Sequence, residues 1–139
     1  MMDLSGIPVL VVDDDRTTRD LNIRILKRLG FSQVFEAADG TEALDCLAAS
    51  AVAFVLCDLH MRPMDGLTFV LTLRQSDNPL LRALPVIMVT SEMRQEAIDV
   101  SEKLKVAAYV VKPTSALELK AAIGKALAMD PADLFLGVA

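Results

Sequence analysis

The sequence is poor in cysteine and in the larger aromatic residues: it contains only two cysteines, one tyrosine and no tryptophan. Cys46 and Cys57 both lie inside apolar stretches, which predicts small buried residues and not a disulfide framework. No apolar run approaches the roughly 18 residues that a membrane-spanning helix needs. The N-terminus lacks the charged and apolar regions of a signal peptide. We therefore expect a cytoplasmic protein without membrane insertion.

Basic residues are too few for a nucleic-acid-binding surface. The sequence has fourteen lysines and arginines but nineteen acidic residues, so its net charge is −5, and it contains no basic stripe. Binding to DNA phosphates needs the opposite balance, so we expect no direct nucleic-acid partner. The chain does have 139 residues, of which 53% are hydrophobic, enough for the core of one domain. We expect that domain over residues 1–128. The structure of the tail at 129–139 is left open between packing on the domain, which we favour, the start of a linker and a partner contact.

Five short apolar runs alternate with segments of helical spacing. The runs are rich in Val, Ile, Leu and Phe and show little polar alternation, which is typical of parallel strands covered by helices on both faces. Right-handed crossovers then predict a doubly wound α/β domain built from five βα units. The predicted strands are residues 7–12, 33–37, 53–57, 86–89 and 108–111.

Apolar residues at intervals of three and four predict the intervening helices. Leu21, Ile25 and Leu29 mark the first helix, and Gly30 is its expected C-terminal cap. The loop before the fourth strand contains prolines, and we predict no helix there. The other predicted helices cover approximately residues 40–47, 67–74, 93–104 and 115–128.

Polar side chains follow four of the five predicted strands. Asp13 and Asp14 come directly after the first, Asp58 after the third, Thr90 after the fourth and Lys112 after the fifth. The carboxyl ends of parallel strands meet at one edge of the sheet, where ligands bind. We therefore expect these side chains to lie close together. The second strand contributes none, as expected if it lies at the outside of the sheet.

Three carboxylates at one edge repel one another unless a cation compensates for their charge. Mg²⁺ suits such a site because it prefers oxygen ligands and binds one or two carboxylates together with phosphoryl oxygens. A lysine adds a second positive charge, and a threonine adds a hydroxyl donor. A carboxylate nucleophile with these neighbours predicts phosphoryl-transfer chemistry, in which positioning and charge neutralisation dominate.

Five segments in register resemble the receiver domain of bacterial response regulators, particularly the stand-alone chemotaxis type. They are Val-Leu-Val-Val-Asp13-Asp14-Asp15, Val55-Leu-Cys-Asp58-Leu-His60-Met61, Met64-Asp65-Gly66, Pro85-Val-Ile-Met-Val-Thr90-Ser91 and Tyr109-Val-Val-Lys112-Pro113. The resemblance spans roughly residues 7–127. It implies a flavodoxin-like five-stranded parallel sheet with the strand order 2-1-3-4-5.

The resemblance also implies a metal site. Asp58 would be the phosphoacceptor, and its carboxylate would hold Mg²⁺ directly together with Asp14. Asp13 would act largely through water, and the backbone carbonyl of His60 would supply a third protein ligand. The imidazole of His60 is expected to be solvated, and Glu92 is a candidate modulator of phosphoryl hydrolysis.

The remaining roles belong to a conformational switch. By resemblance, Lys112 pairs with the phosphoacceptor and then with the phosphoryl group, and Thr90 turns toward a phosphoryl oxygen as Tyr109 moves inward. A cis peptide between Lys112 and Pro113 is expected. The readout would be the surface of the fourth predicted helix, the fifth strand and the fifth helix.

The expected partners are a histidine kinase or histidine phosphotransfer protein as donor and a separate protein effector. We expect a switch that catalyses its own phosphorylation and dephosphorylation, not an enzyme that turns over an external substrate. One alternative is a haloacid-dehalogenase-type phosphatase with Asp13 as nucleophile, although no later Gly-Asp-x-x-x-Asp pattern is present. Others are a binding module that is not phosphorylated and a flavin-binding protein, although no phosphate-cradling loop follows the first strand.

Overall fold

The computed structural model describes residues 3–129. Strands and helices alternate along this part of the chain, as the apolar runs predict. The strands are β1 (Val9–Val12), β2 (Val34–Ala37), β3 (Phe54–Cys57), β4 (Val86–Thr90) and β5 (Ala108–Val111). The helices are α1 (Arg16–Leu29), α2 (Gly40–Ala49), α3 (Gly66–Arg74), α4 (Pro79–Arg82), α5 (Gln95–Lys103) and α6 (Ala116–Ala126).

All five strands form one parallel sheet in the order β2-β1-β3-β4-β5. This confirms the predicted flavodoxin-like architecture. The last residue of β1, Val12, lies opposite Ala37 of β2 and Cys57 of β3. The carboxyl ends of the central strands are therefore level, and the loops that follow them start at the same edge.

The core lies on both faces of the sheet. Val9 and Val11 of β1 pack into a cluster with α1 and α6, whereas Leu10 and Val12 pack into a second cluster with α2, α3 and α5. Because both faces are covered, successive residues of the inner strands are all buried. This arrangement explains why the apolar runs lack polar alternation.

The predicted absence of a helix before β4 was wrong, because the short helix α4 occupies part of that loop. Asn78 accepts a hydrogen bond from the backbone N–H of Leu80, and Pro79 occupies the first helical position, where no N–H is needed. The sequence signal was a capping residue followed by proline. The same residues are also typical of a turn, which is why the sequence alone does not distinguish the two.

Smaller corrections concern burial and boundaries. Ile25 and Leu29 are buried as predicted, but Leu21 is 44% exposed. Cys57 is buried, whereas Cys46 is only half-buried, and both thiols are free. The fourth predicted helix is shorter than expected and corresponds to α5. The fourth strand ends one residue later than predicted, so Thr90 is the last residue of β4 and does not follow it.

Within residues 3–129 no helix has the length and apolarity to cross a bilayer. Residues 130–139 of the predicted tail lie outside the described residues.

The turn between α5 and β5 contains a residue with positive φ that is not glycine. Lys105 adopts a positive φ of 59°, and the N–H of Val106 donates to the carbonyl of Ser101 at 3.2 Å, which closes the helix end. The guanidinium of Arg74 donates to the carbonyl of Leu104 at 2.8 Å and to that of Lys105 at 3.3 Å. These hydrogen bonds satisfy the helix-end carbonyls, so the turn forms without glycine.

Candidate functional site

The loop after β1 carries three consecutive acids with different environments. The carboxylate of Asp13 is buried, and its Oδ1 accepts a hydrogen bond from the backbone N–H of Asp15 at 2.9 Å. Asp15 caps α1, and Asp14 is exposed. The guanidinium of Arg19 donates to the backbone carbonyl of Asp13 at 2.6 Å. These hydrogen bonds hold both the side chain and the backbone of Asp13 in place, and its carboxylate is shielded from water.

Asp58 begins the loop after β3 and is 8% exposed. Its backbone N–H donates to the carbonyl of Val12 at 2.9 Å, which extends the pairing of β1 and β3 to the functional edge. Its Oδ1 accepts a hydrogen bond from the N–H of Leu59 at 2.7 Å. Gly66 approaches the carbonyl of Asp58 so closely that a Cβ there would collide with it. The backbone of Asp58 is therefore fixed, and so is one of its carboxylate oxygens.

Lys112 links the two buried carboxylates. Its Nζ lies 3.0 Å from Oδ2 of Asp13 and 3.2 Å from Oδ2 of Asp58. Burial raises the pKa of Asp13, although the hydrogen bonds from the Asp15 N–H and from Lys112 oppose that rise. Burial by itself would lower the pKa of Lys112, but hydrogen bonding and the charges of the two aspartates outweigh it and raise this pKa. Lys112 therefore remains an ammonium at neutral pH.

The acidic cluster fits a hard divalent cation. Carboxylate oxygens of Asp13, Asp14 and Asp58 lie within 4.8 Å of one another, and a single lysine does not balance three carboxylates. Oxygen-rich sites of this kind suit Mg²⁺, which also keeps several waters. A cavity of about 360 Å³ adjoins Asp14 and offers room for such waters; it is lined by Asp14, His60, Met61, Arg62 and Asp65.

The switch candidates meet at one residue of the loop after β4. Thr90, the last residue of β4, is completely buried, and its Oγ1 accepts a hydrogen bond from the N–H of Glu92 at 3.3 Å. The hydroxyl of Tyr109 on β5 donates to the backbone carbonyl of Glu92 at 2.7 Å. Burial raises the pKa of Tyr109. Thr90 and Tyr109 thus contact the same peptide segment from two strands.

The structure brings most of the predicted residues together. Asp13, Asp14, Asp58 and Lys112 converge at one edge, and Thr90 ends the neighbouring strand. The peptide bond between Lys112 and Pro113 is cis, and so is the bond between Arg62 and Pro63, which the sequence did not predict.

The contact between His60 and Glu92 was also missed. The imidazole Nε2 of His60 lies 3.0 Å from Oε1 of Glu92, so the ring is bound and not simply solvated. Both residues are visible in the sequence, two positions after Asp58 and two after Thr90 respectively. Their pairing has no sequence signal, because it depends on how two loops from different strands approach each other.

Comparison with known proteins agrees with this geometry. The family model for the response regulator receiver domain matches residues 9–124. The chemotaxis protein CheY of Pseudomonas aeruginosa is 38% identical over 117 residues, which cover 84% of this chain and 93% of that protein. The chemotaxis protein CheY-3 of Vibrio cholerae is 36% identical over 120 residues, covering 86% of this chain and 91% of that protein.

Solved structures show the same fold. A putative response regulator from Chloroflexus aurantiacus superimposes with a TM-score of 0.80 at 30% identity and covers 88% of this chain and 98% of that one. The chemotaxis response regulator CheY4 of Vibrio cholerae gives a TM-score of 0.78 at 27% identity, covering 87% of this chain and 98% of that one. The chain therefore belongs to the response regulator receiver domains and is a CheY-like phosphoacceptor domain of two-component signalling.

Proposed function

We propose that Asp58 accepts the phosphoryl group, from a histidine kinase or a histidine phosphotransfer protein. A carboxylate oxygen of Asp58 attacks phosphorus, the phosphorus–nitrogen bond of the phosphohistidine breaks, and its electron pair leaves with the imidazole nitrogen, which takes up a proton. The observation that supports this role is the contact of Lys112 Nζ with Asp58 Oδ2 at 3.2 Å. An ammonium at that point neutralises charge where a phosphoryl group would bind.

The proposed cofactor is Mg²⁺. Asp14 and the carboxylate of Asp58 would hold it directly, Asp13 largely through water, and the backbone carbonyl of His60 would complete the protein ligands. The bound ion would neutralise charge on the transferring phosphoryl oxygens. The close approach of the three carboxylates supports this proposal.

Phosphorylation would draw the hydroxyl of Thr90 and the ammonium of Lys112 toward the phosphoryl group and hold Tyr109 inward. This rearrangement would alter the surface formed by α5, β5 and α6, and a separate effector protein would bind to that surface. Val100 on α5 and Leu117 on α6 are exposed apolar side chains on this surface, at 41% and 73%. The protein would then act as a switch and not as a turnover enzyme. A cytoplasmic location stays a prediction.

Incubation with Mg²⁺ and a small phosphodonor, followed by intact-mass measurement, tests the assignment of Asp58. Wild type should gain one phosphoryl group, and Asp58→Asn should gain none, because an amide is a far poorer nucleophile than a carboxylate. Asp45→Asn is the matched control, since Asp45 is exposed on α2. An equal mass gain in Asp58→Asn would exclude this assignment. Turnover of a phosphomonoester that requires Asp13 but not Asp58 would favour the phosphatase alternative.

Addition of Mg²⁺ should raise the thermal midpoint of unfolding. A ligand that binds only the native state at about ten times its dissociation constant adds about 1.4 kcal/mol, or roughly 3–6 °C for a domain of this size. Asp14→Asn should lose most of this rise, because it removes one of the proposed direct ligands. Asp45→Asn should keep it. A rise that Na⁺ at equal ionic strength reproduces would show screening and no specific site.

A further inference from the structure

The carboxylate of Glu92 connects two loops of the functional edge. Its Oε1 lies 3.0 Å from Nε2 of His60, which belongs to the loop after β3, and 2.9 Å from a terminal nitrogen of Arg94. Its Oε2 lies 3.1 Å from both Nε and the backbone nitrogen of Arg94. The carboxylate is only 11% exposed, although Glu92 lies in a surface loop. We call these contacts of the Glu92 carboxylate with His60 and Arg94 the Glu92 latch.

The direction of the hydrogen bonds follows from the charge of Glu92. Hydrogen bonds from the side chain and the backbone of Arg94 hold the pKa of this carboxyl well below its usual range, at about 2, so the group is ionised at neutral pH. An ionised carboxylate can only accept hydrogen bonds. Nε2 of His60 therefore carries the hydrogen and donates it.

The backbone of Glu92 holds the switch residues. Its N–H donates to the hydroxyl of Thr90, and its carbonyl accepts from the hydroxyl of Tyr109. Arg94, bound to the carboxylate through both its side chain and its backbone, occupies the N-cap position of α5 and makes no capping bond of its own. Glu92 thus joins the phosphoacceptor loop, the last residue of β4, Tyr109 of β5 and the start of α5.

We propose that the Glu92 latch is a positioning device that holds the loop after β4 in the conformation that binds Tyr109 and fixes where α5 begins. Its role in signalling rests on the proposed function: weakening the latch would loosen the link between the phosphoacceptor loop and the effector surface. Ion pairs between exposed partners contribute modestly, and His60 and Arg94 are 56% and 71% exposed. We therefore expect the latch to shift the ratio of bound to released Tyr109 by roughly two- to fivefold.

Fluorine NMR can measure this ratio at a single site. The chain has one tyrosine, so 3-fluorotyrosine labels only position 109. The difference between its chemical shifts in H₂O and D₂O reports how exposed the ring is. The variants are Glu92→Gln and Arg94→Gln, which both remove the ion pair between these two side chains but change the net charge in opposite directions. Glu102→Gln on α5 is the control, because it removes the same charge as Glu92→Gln from an exposed side chain that forms no hydrogen bond or ion pair with the latch residues.

If the latch holds Tyr109, both latch variants should increase the solvent isotope shift and move the resonance in the same direction. The control should match wild type, and the double variant Glu92→Gln/Arg94→Gln should add little to either single change. Movement in opposite directions would show a field effect of charge and would overturn the proposal, as would no movement. The measurement uses unphosphorylated protein, so its outcome is independent of whether Asp58 accepts a phosphoryl group, which the mass assay decides separately.

Discussion

Replacing Lys112 with methionine should slow phosphorylation of Asp58 by a small phosphodonor about 100-fold or more. Losses of this size are usual when one preorganised hydrogen-bond donor that stabilises transition-state charge is removed. The ammonium contacts both buried carboxylates, at 3.0 and 3.2 Å, and no other lysine or arginine among residues 3–129 forms an ion pair with Asp13 or Asp58. Methionine keeps most of the side-chain volume but removes the charge. Intact-mass time courses with excess donor and Mg²⁺ measure the rate.

The loss of phosphorylation rate in Lys112→Met should not depend on pH in the neutral range. The pKa of Lys112 is raised above an already high ordinary value, because the two aspartates outweigh the opposing effect of burial. The ammonium is therefore charged throughout, and the ratio of wild-type to variant rates should stay constant between about pH 6 and 9. Lys103→Met, on the exposed face of α5, should react like wild type. A Lys112→Met variant that reacted at the wild-type rate would exclude lysine from the proposed mechanism.

Gly66→Ala should destabilise the fold by about 2–4 kcal/mol, since backbone groups cannot rotate away from an added atom as a side chain can. Gly66 is the first residue of α3, and its Cβ would collide with the carbonyl of Asp58 and lie 3.0 Å from Cα of Leu59. The carbonyl cannot withdraw easily, because the N–H of Asp58 is paired with Val12 of β1. By helix propensity alone alanine would stabilise by up to about 1 kcal/mol, so the sign of the effect separates the two causes.

Urea unfolding measures this change. Gly6→Ala is the matched control, because nothing lies within 4 Å of a Cβ built there, and it should shift the midpoint little. Asp58 should also be phosphorylated more slowly in Gly66→Ala, since the collision displaces the backbone of the phosphoacceptor. Equal stability of the two variants would mean that α3 can move away from Asp58 without cost.

The fold followed from local patterns. The apolar runs lack polar alternation because helices cover both faces of the sheet, and that property is visible in the sequence without any long-range information. Parallel strands place the residues after their carboxyl ends at one edge, so Asp13, Asp14, Asp58 and Lys112 could be grouped from their positions alone. The convergence of these residues needs no knowledge of side-chain conformations, which is why the sequence was sufficient to predict it.

Tertiary structure decided the relations between loops. Which of the adjacent residues Asp13 and Asp14 is buried depends on how the loop after β1 turns over the sheet, and no local pattern encodes that. The pairing of His60 with Glu92 likewise depends on two loops, 32 residues apart in sequence, that approach each other only in the folded chain. Side chains at loop ends are positioned by contacts between elements, and a sequence read one segment at a time contains no measure of those distances.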